Sequence, residues 1–508
     1  MRIKAVLPVL SACLLACGET NAQTVPLRHN FETYNQALRI LLGAGFEDCK
    51  FVNDPDDPDL TSFDPITGEV IDPPGLIGPN LSRHCRPDET NLSGGSVIGG
   101  SLSSLQSTRT VSQFDVSRRR SEECDPSIDP DCKSPATDTV SNYFYQGSVS
   151  GSVFSSVLDD GGGVLNANAL IPFDGFSIFG QLEYQSYHQS TTPYEPAWDV
   201  DTFSADLGAT WNISNNSILG FRGTYSMGNG AYSGPETVLI KGFGDELGVL
   251  PVNYESECGV SNEGAVDTDE FGGSAFYQTQ LLDNGFFAAE IGLSKGRQKY
   301  RNSFCTIDVA ADPSNPPSNL HTANTAAGII SGDPDYIGFS ADIHTGYDWD
   351  LSGITIGPRF SLNTWWKSIG AYAESETAGS RQNIPITGAG LRYEEQDISS
   401  VQTRIGVAVS KPFVVNALTF VPFIQLDYIH EFANDQRTLR ASFVEDRRPD
   451  PFSFTFKSNP PDRDFFEIRT GMVAEIFDGG VGYIDGRAIL GHDLVENYGV
   501  KGGLRIAF

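Results

Sequence analysis

The stretch "GVKGGLRIAF", residues 499–508, alternates at every position. From Tyr498 onward one set reads Tyr498, Val500, Gly502, Leu504, Ile506 and Phe508, and the other Gly499, Lys501, Gly503, Arg505 and Ala507. Side chains in a strand point alternately to opposite faces, so one face is apolar and the other small and cationic. Chain ends fray unless they are tied into a sheet. An amphipathic strand ending on an aromatic residue therefore asks for a sheet with a place for its last strand.

Upstream, residues 176–508 resolve into about twelve alternating runs, each long enough to cross a bilayer as a tilted strand. Ile178, Leu182 and Tyr184 oppose Gln181, Glu183 and Gln185, and Phe203, Leu207 and Trp211 oppose Asp206. Arg222, Glu290, Asp342, His344, Arg359, Lys367, Arg404, Glu467, Arg469, Asp485, Arg487, Lys501 and Arg505 likewise fall on polar faces and are the expected lumen-facing charged residues. The links "ISNNS", "LDNG", "DLSG", "KPFVVN" and "DGG" are short and turn-forming. The alternate links, near 228–267, 302–333, 374–389 and 431–462, are long. Short turns at one end and long loops at the other predict an antiparallel transmembrane β-barrel, closed because an open edge in lipid leaves backbone groups unpaired. An even strand count puts both barrel termini at the short-turn end, with Phe508, Trp211 and Trp349 in its aromatic girdle. A large soluble β-protein would also alternate, but it needs neither the loop asymmetry nor the terminal aromatic.

The front end reads as a signal peptide, residues 1–22: Arg2 and Lys4, an apolar run, then Thr20-Asn21-Ala22 as the cleavage site. Lipoprotein-like boxes ending at Cys13 and Cys17 leave lipidation open. Cys49, Cys85, Cys124, Cys132, Cys258 and Cys305 remain, an even number that in an exported chain predicts disulfides rather than metal sites. Cys124–Cys132, Cys49–Cys85 and Cys258–Cys305 are the expected pairs. Residues 23–100 form a short acidic Pro/Asp-rich segment, either a small passenger or a plug. Within it, residues 30–43 predict a helix with Tyr34, Leu38, Leu41 and Leu42 on one face. Residues 51–78 look irregular; their Asp spacing leaves weak calcium binding open, but Asx-Pro turns explain it as well and it lacks the fixed pattern of an EF-hand loop. Residues 101–175 form a linker, in which 101–120 is a candidate pore-threading helix carrying Arg109, Arg118, Arg119 and Arg120 toward Glu183, Asp206, Glu290 and Asp342.

In order, "TRIGVAVSKPF" (403–413), "VPFIQLDYIHEFAND" (421–435), "DRDFFEIRTGMVAEIF" (462–477) and "YGVKGGLRIAF" (498–508) resemble the C-terminal β-domain of classical autotransporters. The match is best over the last 170 residues or so and extends weakly back to about Phe176. The resemblance implies a twelve-stranded outer-membrane barrel inserted by the barrel-assembly machinery, which would read Tyr498, Leu504, Ile506 and Phe508. It also implies a passenger led out through the pore by a helix-containing linker. Here any passenger is very small, and no long β-helix is present.

Two functions stay open: a barrel that anchors and displays its own N-terminal segment, or a stand-alone channel or adhesin-like barrel plugged by that segment. The net charge of −31 argues against nucleic acid and against direct contact with anionic lipopolysaccharide without bridging cations. The expected partners are outer-membrane lipid and the assembly machinery, with the surface ligand unspecified and the barrel a monomer. The expected location is a Gram-negative outer membrane, long loops outside and C-terminus periplasmic. The seven histidines are scattered. His344 beside Asp342, His430-Glu431 and His492-Asp493 read as satisfied polar groups without a nucleophile, so no enzyme activity, cofactor or metal is expected.

Overall fold

The computed structural model describes residues 176–508 except 196, 215–216, 233–236, 242–252, 258–263, 282–283, 312–320, 379–389, 416–417, 434 and 478–479. Before residue 176 it describes Thr33, Gln36, Ala37 and Leu41, all helical, and the strands His84–Cys85, Asn142–Gly147 and Ser152–Val157. The expected signal peptide, the 51–78 stretch and the 101–120 helix lie outside the described residues.

Twelve strands form the wall: β1 (Phe176–Gln189), β2 (Trp198–Ser214), β3 (Ser217–Tyr232), β4 (Gly264–Leu281), β5 (Gly285–Ala311), β6 (Asp335–Tyr347), β7 (Thr355–Ile369), β8 (Gln396–Ser410), β9 (Leu418–Glu431), β10 (Asp464–Phe477), β11 (Gly480–Leu490) and β12 (Val495–Ala507). Each pairs antiparallel with the next. β12 returns to β1 in unbroken register from Val495↔Gln189 to Ala507↔Ser177. One pair further, the Phe508 N–H donates to the Phe176 carbonyl at 3.1 Å. The sheet closes on itself, so no wall strand keeps a free edge across the barrel's girth.

The exterior is apolar. Leu182, Leu207, Phe271, Leu293, Ile337, Ile405, Leu426, Ile484 and Val500 are exposed, while Gln181, Glu183, Gln185 and the other interleaved polar residues are buried. This inversion of a soluble core is what a hydrocarbon surround dictates, because apolar side chains gain nothing by hiding from lipid. At the short-turn end Phe176 packs on Trp211 at 5.4 Å and on Phe508 at 6.3 Å, and Trp211 meets Phe221 edge-on at 5.8 Å. Together they form part of the expected lower girdle. The β6–β7 turn carries Ser352 and Gly353 at positive φ, and the Gly353 N–H donates to Asp350 Oδ1 at 2.8 Å. Inside the wall the Tyr483 ring lies over Gly503, where any Cβ would come within 2.3 Å of it. Gly503, the second glycine of "KGGLR", thus lets an aromatic ring cross the last strand.

At the opposite end the connections are longer than the turns but are not all loop. β5 runs for 27 residues, and its outer part pairs with a strand at His321–Gly332. Residues 302–311, read from sequence as loop, continue the ladder beyond the apolar band. Tyr372–Ala373, Leu391–Tyr393, Thr438–Phe443 and Ser453–Lys457 form a small four-stranded sheet built from two different connections. Leu391, Tyr393, Leu439, Ala441, Phe443, Phe454 and Phe456 give this cap a buried core of its own, with Phe454 edge-on to Phe456 at 5.3 Å.

Candidate functional site: lumen wall and cap

Alternation aims the polar face of each strand into the lumen, and there the charges pair along the wall. Arg222 Nη2 donates to Glu290 Oε1 at 3.0 Å, with Asp206 at 4.0 Å. Arg469 Nη2 donates to Asp485 Oδ1 at 2.6 Å, Arg404 Nη1 to Glu467 Oε2 at 3.4 Å, and Arg487 lies 3.8 Å from Glu183. Arg359 pairs with Asp348 and sits over the Phe286 ring at 5.5 Å. Lys367 reaches Glu270 at 3.3 Å and lies over the Tyr336 ring at 4.1 Å. Lys501 stands in register between Asp485 and Glu183, and Arg505 Nε donates to Ser177 Oγ at 3.0 Å. All these pairs except those of Glu270 and Arg505 join two buried side chains. Of the carboxylates reserved in the sequence for the arginines of 101–120, Glu183, Asp206 and Glu290 thus face the wall's own arginines, and Asp342 Oδ1 accepts from Asn363 Nδ2 at 2.8 Å.

The expected lumen-facing charged residues do not include Glu270, Asp348 or Glu431, although Asp348 falls on the polar face of its strand and Glu431 follows His430. Glu270 directly precedes the outward-facing Phe271 on β4, so carrying that strand's alternation one residue further back would have found it. Glu431 accepts from the Val401 and Ala433 amides, both at 3.0 Å.

Of the three histidines weighed, two are satisfied. His430 Nδ1 lies 2.7 Å from Asp464, and His492 Nδ1 accepts from the Leu494 and Val495 amides at 3.2 and 3.0 Å. His344 differs from expectation: its Nε2 is buried without a hydrogen-bond partner. The register explains this, since its cross-strand neighbour on one side is Ala288, which offers no side-chain polar group. On the other side stands Ser361, a hydroxyl that spacing did not reveal. Ser361 Oγ donates to Asn363 Oδ1 at 3.4 Å rather than to His344, so the two do not form a nucleophile–base pair.

Among the described residues, the N-terminal region meets this framework at three places. Ala37 and Leu41 are each 1% exposed and belong to the cap's core cluster. His84–Cys85 pairs antiparallel with Asp308 and Ile307 on the outer part of β5. The hairpin of Asn142–Gly147 and Ser152–Val157 brings its second strand beside β7, β8 and β9. The outward residues Phe360, Ile405 and Leu426 of those strands are exposed, whereas Asn363, Arg404 and Asp427 are buried, so the hairpin lies on the lumen side. Cys49, Cys124, Cys132 and Cys258 lie outside the described residues. Cys85 is opposite Ile307, two positions from Cys305 on the same strand.

The cap is joined to the wall through Glu374. Its carboxyl is buried, accepting from the Tyr300 hydroxyl on β5 and from the Leu391 amide of the cap, both at 2.7 Å. Burial pushes its pKa up to about 8; the two hydrogen bonds act in the opposite sense, and nearby Glu376 raises it further. A raised carboxyl pKa means stability is fullest below the ordinary value and declines as pH climbs toward the folded value. Cap protection, followed by hydrogen exchange of 391–393, should therefore fall between about pH 5 and about pH 8, by at most about tenfold per unit. Glu374→Gln should flatten that profile. An unchanged slope in the variant would assign the pH dependence elsewhere.

A closed wall of twelve strands, apolar outside and charged within, defines an outer-membrane-type β-barrel. The family model described as the autotransporter beta-domain matches residues 178–486, more than half the chain, and the protein belongs to this family. Solved structures similar to it include the translocator domain of autotransporter NalP from Neisseria meningitidis (12% identity, 67% of this chain and 92% of that one, TM-score 0.40). The β-domain of the Bordetella autotransporter BrkA is another (14% identity, 66% and 100%, TM-score 0.39), and the P. putida toluene transporter TodX a third (10% identity, 67% and 92%, TM-score 0.31). Among curated proteins none matches the chain.

Proposed function

We propose that this outer-membrane barrel carries its own short N-terminal segment to the long-loop end, outside the cell, and keeps it there as part of a cap. The observation that carries the proposal is the burial of Ala37 and Leu41 in the core of the long-loop sheet. β1 begins at the opposite end, beside Phe508. A chain running from the cap to Phe176 has to pass the length of the barrel, and the hairpin on the lumen side of β7–β9 fits such a path. The pairing of His84–Cys85 with the outer part of β5 supports it independently. In this arrangement the long loops face outward and Phe508 the periplasm.

An epitope inserted within 51–78 is expected to bind antibody on intact cells, as is a control epitope within 379–389. Labelling of the loop epitope with the N-terminal one reached only after the outer membrane is opened would overturn display. That outcome would favour the second reading, a channel plugged from the periplasm.

A further inference from the structure

The exterior of the long-loop rim is mostly acidic. Asp199, Asp201, Asp267, Asp269, Asp335, Asp397, Asp464 and Glu496 are all exposed there, just beyond the apolar band. Several are already engaged: Asp201 accepts from the Tyr184 hydroxyl at 2.8 Å, Asp269 from the Tyr225 hydroxyl at 3.0 Å, and Asp267 from Asn229 Nδ2 at 2.7 Å. One stave breaks the pattern. Above Ile291 and Leu293, the outward face of β5 reads Lys295, Arg297, Lys299 and Arg301, all exposed.

These cations are not equivalent. Arg297 is committed to Asp333 at 3.0 Å and Asp335 at 3.4 Å. Lys295 stands in register between Phe271 on β4 and Ile337 on β6, both exposed and apolar. Its aliphatic stem therefore runs along apolar surface and its ammonium emerges where the hydrocarbon ends. Lys299 is opposite Asp267, whose carboxylate already accepts from Asn229, and Arg301 is opposite Ala265. Lys295, Lys299 and Arg301 take no part in an ion pair among the described residues.

We infer that this stave is a direct binding surface for the phosphorylated sugar headgroup of an outer-leaflet glycolipid. The occupant follows from position and charge. Whatever touches Lys295 is at headgroup depth, and only an anion with hydrogen-bond acceptors complements three cations in a line. Lys295 and Lys299 are separated by about 13 Å along the strand. That spacing suits a headgroup with two phosphates held apart by a disaccharide better than a single phosphodiester. Elsewhere along the described wall strands the rim carboxylates would meet the same headgroups only through divalent cations, so among those strands direct contact is confined to β5. The inference shares the outward orientation of the long loops with the proposed function but does not depend on display.

The test uses the full chain in detergent or nanodiscs, with bis-phosphorylated lipid A, monophosphoryl lipid A and phosphatidylglycerol as probes, binding being read by native mass spectrometry. The unmodified chain should retain bis-phosphorylated lipid A in excess chelator and hold the monophosphoryl form less tightly. Lys295→Gln/Lys299→Gln/Arg301→Gln should weaken chelator-resistant binding by about 100-fold, as expected for three cations at a charged membrane surface. Equal binding by the triple variant, complete loss from the unmodified chain in chelator, or equal affinity for phosphatidylglycerol would each overturn the assignment. The chelator and monophosphoryl arms need no variant, so they decide the matter even if the triple variant folds poorly. Lipid binding abolished in these arms, with the N-terminal epitope still reached on intact cells, would sink this inference and leave display standing.

Discussion

Val500→Pro is expected to abolish the compact, heat-resistant form of the barrel, whereas Val500→Leu keeps it. Because the Phe508 N–H donates to Phe176 and the β12–β1 register is unbroken, the even-numbered residues of β12 direct their N–H groups to β1. Val500 is paired with Tyr184, in the middle of that seam. Proline removes the donor and leaves the Tyr184 carbonyl unpaired where no water can replace it, at a cost of several kcal/mol. Against a total stability on the order of 10 kcal/mol, with every neighbouring bond dependent on the same seam, this is enough to prevent closure. Leucine retains the donor and an apolar side chain on a face already exposed to lipid. Mobility of unheated and heated samples on a gel, after refolding into detergent, reads the outcome. A Val500→Pro chain that still runs compact and resists heating would mean that the β12–β1 seam does not close the wall.

The wall was legible because lipid and lumen impose opposite demands on successive residues, and that difference survives in sequence as period two. Glu183, Asp206, Asp342 and Lys501 could be assigned to one face without knowing a single contact. Legibility ended where the two-sided environment ended. Beyond Arg301 on β5 the strand still pairs, but no hydrocarbon lies beside it, so "NSFCTIDVAA" looked like loop. The cap was hidden for a different reason. Its strands are two to six residues long and come from two separate connections, so Tyr393 and Phe456 belong to one core only by virtue of long-range pairing. Helical spacing put Leu41 on an apolar face, yet nothing local could say that it would join the same core as Leu439 and Phe443. His344 and Ser361 became neighbours through register between two strands, which no motif encodes.

Asp485→Ala should cost about 3–5 kcal/mol, the range for removing one partner of a buried ion pair and leaving the other uncompensated. Asp485 and Arg469 are respectively 3% and 0% exposed in their side chains, so solvent cannot take over the charge that is left. The loss falls on more than one partner, because Asp485 also stands in register with Lys501, and Arg487 shares its strand. Removing it takes one carboxylate from a cluster that already holds the three cations Arg469, Arg487 and Lys501. Arg469→Ala should cost less, since Lys501 still faces Asp485. The double variant Arg469→Ala/Asp485→Ala should then be more stable than the sum of the two losses by at least about 1 kcal/mol, as expected for residues in direct contact. Urea unfolding in lipid vesicles, followed by tryptophan fluorescence, measures all three. Additive losses would show that the Arg469–Asp485 contact contributes no coupling and that the wall is held by its ladder alone; a sub-additive result would make the inward charges, legible in the sequence as one face of each strand, part of what keeps the lumen wall rigid.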